Sequence, residues 1–314
     1  MKKTLLAIAL FCAALFSAVF LFLPKNLDPS LKIEFITAIR LPEVFAVVLA
    51  GAALSISGLA FQTVLRNDLA DPYVLGISGG SCFGVTLSII VFGSAGSGIF
   101  FRAFSSFVFG LLCLFVIIKL SGNSPERLLL LGVASNIFFS TLARVLTLQL
   151  KPSELTSINY FLLGFISPLN SNEIIFSFAV FILVAAPLFL LGEEIDILSF
   201  SDDESKTIGV NAQKTRTLSI LFATVLASLI VSISGMIGFI GLIVPHIARI
   251  FAPNDFKKIF LISIFLGPAI TLFAYAFSKI AMARVVVPIG LYINLFGILF
   301  FVYLFAKKGF SNGA

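Results

Sequence analysis

Only 11% of the 314 residues carry a charge, and tryptophan is absent. So sparse a charged complement leaves no polar segment of domain size, which excludes a second, water-soluble domain. Histidine occurs once, at His246, and the three cysteines (Cys12, Cys82 and Cys113) form no C-x-x-C or Cys/His grouping. A zinc centre or a dithiol pair is excluded on that ground, and neither metal nor cofactor is expected. The phosphate-cradling pattern G-x-x-x-x-G-K-[ST] is missing, so any ATP the chain depends on must be bound by another polypeptide. No Asp or Glu falls near the middle of a long apolar run; Glu43 and Glu173 stand where helices are expected to start. Ion-coupled carriers usually keep a carboxylate at membrane depth, at a cost of about 2.5–3.5 kcal/mol, because the chemistry needs it. Its absence argues against ion coupling, and no acid pair or activated nucleophile suggests an enzyme.

What the chain has is apolar length. A bilayer core of about 30 Å needs roughly 20 apolar residues in a helix. Runs that approach or meet this length are Leu5–Leu23, Val44–Leu65, Tyr73–Phe92, Phe101–Lys119, Leu128–Gln149, Ile174–Leu191, Leu218–Val231 and Phe260–Phe277. Ile237–Phe251 and Val285–Ala306 are interrupted by Pro245 and Pro288 yet remain almost wholly apolar. Residues 1–314 therefore read as one all-α, polytopic membrane domain of about ten transmembrane helices. The first run follows Lys2 and Lys3 but is too long for a signal-peptide core, so it reads as a retained helix.

With Met1 inside and ten crossings, thirteen of the 21 Lys and Arg residues fall on the cytoplasmic side and eight near the outer face. The bias follows the positive-inside rule, puts both termini in the cytoplasm, and explains the +6 charge without nucleic acid. The longest internal loop is then Gly192–Thr217. In it, Ser201-Asp202-Asp203-Glu204 forms a capping box whose acids also favour the positive end of a helix dipole. Gly209 supplies a stop, so a short cytoplasmic helix is expected within about 199–210. It is either a plain solvated connection or a docking element.

Three interior features remain. Asn136, Ser140 and Arg144 recur every fourth residue, with Thr147 beyond, and so share a helix face that either lines a water-filled path or hydrogen-bonds to neighbouring helices. Asp71-Pro72 is expected to open a helix as N-cap and first residue, followed by small residues Gly76 to Ser81 that either allow close packing or leave the helix unwound beside a cavity. Pro245 frees a backbone carbonyl that the adjacent His246 either satisfies, a structural role, or leaves to others while it contacts a partner near the cytoplasmic face.

Several strings taken together resemble the FecCD-type permeases, the membrane subunits of ABC importers for ferric siderophores, haem and cobalamin. They are Arg40-Leu-Pro42, Gly51-Ala-Ala-Leu-Ser-Ile-Ser-Gly58, Gln62, Arg66-Asn-Asp-Leu-Ala-Asp-Pro72, Leu75-Gly-Ile-Ser-Gly79, Gly235-Met-Ile-Gly-Phe-Ile-Gly-Leu-Ile-Val-Pro-His-Ile-Ala-Arg249 and Pro288-Ile-Gly290. The resemblance implies a type II ABC importer permease of ten helices in a bacterial or archaeal cytoplasmic membrane. It pairs as a homodimer around a central path, with ATPase subunits inside, a substrate-binding protein outside, and lipid around it. It also implies that Ser201, Asp202, Asp203, Glu204, Gly209 and Val210 contact the ATPase, and that Arg40 and Lys279 receive acidic groups of the binding protein. Asn136, Ser140 and Arg144 line the path. Three positions depart from the pattern: Glu43 stands where a second basic residue is common, Asp68 replaces a proline, and Ser201 replaces a glycine. The competing reading is a self-contained facilitator or channel without an ATPase, for which a capped cytoplasmic helix has no use.

Overall fold

The computed structural model describes Phe11 and residues 29–93, 96, 98–122, 124–198, 210–253, 255–280 and 287–311. Among these residues every regular element is helical. The chain runs through α1 (Pro29–Phe35), a π-turn (Ile36–Arg40), α2 (Leu41–Val64), α3 (Ile77–Phe92), α4 (Ile99–Ser121), α5 (Pro125–Thr147) and α6 (Pro152–Leu162). It continues through α7 (Ser171–Leu190), α8 (Gly192–Ile197), α9 (Ala212–Ser234), α10 (Ile240–Phe251), α11 (Phe256–Ile280) and α12 (Ile289–Ser311). Among the described residues six helices are long and apolar enough to cross a bilayer, and α3, α10 and α12 add shorter apolar helices. With the run Leu5–Leu23, most of which lies outside the described residues, the multi-pass membrane reading of about ten helices holds.

Burial ranks the helices. Of its most apolar window, 89% of the span containing α2 is buried inside the protein, against 22% for α5. The centre is therefore α2, which packs along α9, α10 and α11, while α3, α4 and α5 form a second layer joined to it through α9. Small residues make the closest crossings. A Cβ on Gly51 would meet Gly267 and Pro268 of α11 at 2.6 Å, and one on Gly58 would fall on the backbone of Gly241 in α10. The Gly51–Gly58 string is thus a packing surface, where backbones meet without side chains between them.

One sequence expectation fails at a helix start. Glu43 does stand in the first turn of α2, reached without a gap from Pro29 through the π-turn, and it is only 6% exposed. But α3 does not start at Pro72: residues 72–76 form turns, and the helix begins at Ile77 behind Gly76, whose φ of 76° is left-handed. A left-handed φ suits glycine, and the reversal lets the turn enter the bundle before the helix sets off. The Glu173 expectation holds: Asn170 and Glu173 form a complete capping box at the head of α7.

Candidate translocation pathway

Two interrupted segments meet inside the bundle. The first is the turn 65–76 between α2 and α3. The second is the unwound stretch 235–239 between α9 and α10, bounded by left-handed Gly235 (φ 69°) and Phe239 (φ 65°). A Cβ at Gly235 would collide with the Phe161 carbonyl, and the Gly238 amide donates to Asn294 Oδ1 of α12 at 3.0 Å. The break is therefore held open from both sides. Irregular backbone at membrane depth survives only where protein or a cavity satisfies it.

Asp71 joins the two breaks. Its Oδ1 accepts the Tyr73 amide at 2.8 Å, and the carboxylate also accepts amides of Val74 and, across the gap, of Gly241 and Leu242 at the head of α10. Asp71 is 2% exposed, and four backbone amides satisfy its carboxylate. It does not cap α3, as the sequence suggested; it caps α10, where a negative charge meets the positive end of the helix dipole. The Tyr73 ring lies 5.8 Å from that of Phe239, which seals the junction.

The same junction answers the proline question. Pro245 frees the carbonyl four residues back, which is Gly241, and Gln62 Nε2 donates to that oxygen at 2.9 Å. His246 instead sets its ring edge-on to Phe300 at 5.8 Å, so its role is packing onto α12. Arg249 at the far end of α10 donates to Gln62 Oε1 and lies 3.7 Å from Asp68.

The polar stripe of α5 turns as it climbs. Each step of four residues advances about 40° around a helix of 3.6 residues per turn. Asn136 is 8% exposed and packs against Gly79 of α3, while its side chain pairs with the Tyr73 hydroxyl. Ser140 is half-buried and donates back to the Ile137 carbonyl at 3.0 Å; Arg144 is exposed. Helical side chains lean toward the helix N-terminus, and Arg144 acts electrostatically on both Tyr73 and Cys82. The stripe therefore begins at the junction of the two breaks and winds out to the surface of this chain. Cys82 and Cys113 are buried and free, as small apolar residues should be; Cys12 lies outside the described residues.

At the opposite end of α2, Arg40 and Lys279 converge on one group. Arg40 Nη1 donates to the Tyr275 hydroxyl at 2.7 Å, and that hydroxyl donates to Glu43. Lys279 Nζ lies 3.3 Å from Glu43 Oε2, and Arg40 lies 3.6 Å from it. Arg40 is 4% exposed, whereas the Lys279 side chain keeps 24% of its surface. Of the two, only Lys279 offers charge to the outside. Ser201, Asp202, Asp203, Glu204 and Gly209 lie outside the described residues, and Val210 is a half-buried loop residue just before Asn211, which caps α9.

A multi-pass helical bundle with paired, interrupted helices is the architecture of a membrane permease. The chain belongs to the FecCD transport family, whose model matches residues 4–307. It is 36% identical, over 87% of its length and 83% of the relative's, to a "Probable iron chelatin transport system permease protein" of Helicobacter pylori strain J99. It is 32% identical to the iron(3+)-hydroxamate import system permease FhuG of Bacillus subtilis (85% and 82% covered). Against the molybdate import system permease MolB of Haemophilus influenzae the identity is 30% (91% and 86% covered). Among solved structures, one of a metal-chelate type ABC transporter in an inward-facing conformation superposes with a TM-score of 0.82 at 27% identity, covering 98% of this chain and 99% of that one. The protein is thus a permease of the ABC transporter kind.

Proposed function

We propose that this chain is the permease subunit of an ATP-driven importer that carries a bulky iron chelate, of the ferric siderophore, haem or cobalamin class, into the cytoplasm. The observation that carries the reading is the meeting of two interrupted helices at Asp71 beside the α5 stripe, in a chain with no nucleotide-binding loop of its own. The relatives named for iron chelates and iron hydroxamates support the cargo class. In this reading two copies pair so that Asn136, Ser140 and Arg144 border a shared path. Residues Ser201–Val210 receive the ATPase, and Lys279 with Arg40 behind it meets the binding protein. The ATPase chemistry lies on the separate subunit, and both termini face the cytoplasm.

The test is uptake of radiolabelled ferric hydroxamate into vesicles holding the permease with its ATPase and binding protein. ATP-dependent accumulation is expected. Accumulation without ATPase would establish the facilitator instead, and accumulation of molybdate in place of the iron complex would overturn the chelate class. Within that assay, Ser201→Ala with Glu204→Ala should reduce ATPase retention, because losing a cap removes about 0.5–2 kcal/mol from a short helix.

A further inference from the structure

The turn 65–76 is fastened at both ends, and the far end is next to the segment proposed to meet the ATPase. Arg66 adopts a left-handed backbone (φ 51°), which is costly for a residue with a Cβ and persists only when its surroundings impose it. Its guanidinium supplies the reason: Nε and Nη2 both donate to the Leu198 carbonyl, at 3.0 and 2.6 Å. Leu198 is fully buried and closes α8, so the cation also sits at the negative end of that helix.

Helix α8 is itself clamped. Thr215 of α9 donates to Glu194 at 2.5 Å, the Phe256 amide at the head of α11 donates to Asp196 at 3.0 Å, and Lys257 lies 2.6 Å from Glu193. The next residue after Leu198 begins the 199–210 segment. From Arg66 the chain leads through four residues to Asp71, which holds the head of α10, and on to Tyr73 against Asn136.

We propose that Arg66 is the positioning residue that transmits displacement of the 199–210 segment to the two interrupted helices, with Asp71 as the pin that receives it. This rests on the reading of that segment as the ATPase contact. The contacts are polar and directional, and the backbone from Arg66 to Asp71 joins the two sets. Contiguity by itself does not establish coupling; an energetic cycle does.

The experiment uses the full permease–ATPase complex in nanodiscs, with one cysteine at position 140 and the native cysteines replaced. Its modification by a charged thiol reagent is timed with and without ATP and vanadate. The unmodified background should show a nucleotide-dependent change of about fivefold or more, the lower end of ordinary allosteric coupling. Arg66→Ala should retain the ATPase and hydrolyse ATP yet lose that change, and Arg66→Lys should restore part of it. Asp71→Asn should lose it too, and the double variant should be no worse than either single one. Lys258→Ala, a surface control, should behave as the parent. A full-sized change in Arg66→Ala, or additive losses in the double variant, overturns the proposal. If Arg66→Ala does not fold, Arg66→Lys and Asp71→Asn decide. Failure of the parent complex to retain the ATPase at all would instead overturn the functional reading beneath it.

Discussion

Gly58 and Asp71 illustrate how much a single position can carry when backbones touch. Gly58→Ala puts a methyl onto the Gly241 backbone, with no flexible side chain there to yield. Overpacking of this kind costs about 1–3 kcal/mol, so thermal unfolding of the detergent-solubilised permease should shift down clearly; an unchanged midpoint would mean that α2 and α10 are not in contact. Asp71→Ala takes the acceptor away from the Gly241 and Leu242 amides at the head of α10. Losing a cap costs about 0.5–2 kcal/mol, so the unfolding midpoint should fall, and an unchanged midpoint would sink the claim. The sequence exposed neither role. Asp71 precedes a proline and so imitates an N-cap, while its true partners, Gly241 and Leu242, are about 170 positions away. Gln62 was visible only as one letter of a resemblance, although the proline rule did identify a needy carbonyl and erred only over which side chain reaches it.

At the scale of elements, what was legible was whatever twenty apolar residues in a row can announce. The spans from Ile99–Ser121 to Ala212–Ser234 match the hydropathy reading closely because a bilayer-length run has few other uses. Helices α1, α6 and α8 were missed since they are short and partly polar; α8 is held by side chains of α9 and α11. The break at 235–239 was legible only in part: the apolar runs stop at Val231 and resume at Ile237, yet Ile237-Gly-Phe239 is apolar enough to read as helix, and the stretch is opened by Phe161 and Asn294. Where two elements are joined by charge, the joint can be tested directly. Arg102 of α4 and Glu173 of α7 pair at 2.5 Å with 17% and 14% of their side chains exposed, and Glu173 also accepts the Asn170 amide at 3.0 Å. Arg102→Met removes the pair alone, whereas Glu173→Ala removes the pair and the cap. The second should be more destabilising by about 0.5–2 kcal/mol. Equal losses in a denaturation series would mean that the capping box contributes nothing.

For the whole molecule, the question is whether the α5 stripe opens onto a path that two copies share. One chain already sets a gradient along it: Asn136 packed on Gly79, Ser140 half-buried, Arg144 exposed. Single cysteines at the three positions, with Cys12, Cys82 and Cys113 replaced, should therefore react unequally with a charged thiol reagent added from outside. The order should be 144, then 140, then 136, because only the thiolate reacts and burial suppresses it. Ile137 and Phe138 supply the contrast. They are 62% and 58% exposed on the isolated chain, so whatever protects them must come from outside it, as lipid or as the second copy. Cysteines there should resist the charged reagent in the membrane yet react once the chain is stripped of lipid and partner. If position 136 reacts as fast as 144, the path reaches deeper than this packing allows. If all three positions are inert while 137 and 138 react in the membrane, the water-filled face of α5 is the opposite one, and the stripe serves only to bind α5 to α3.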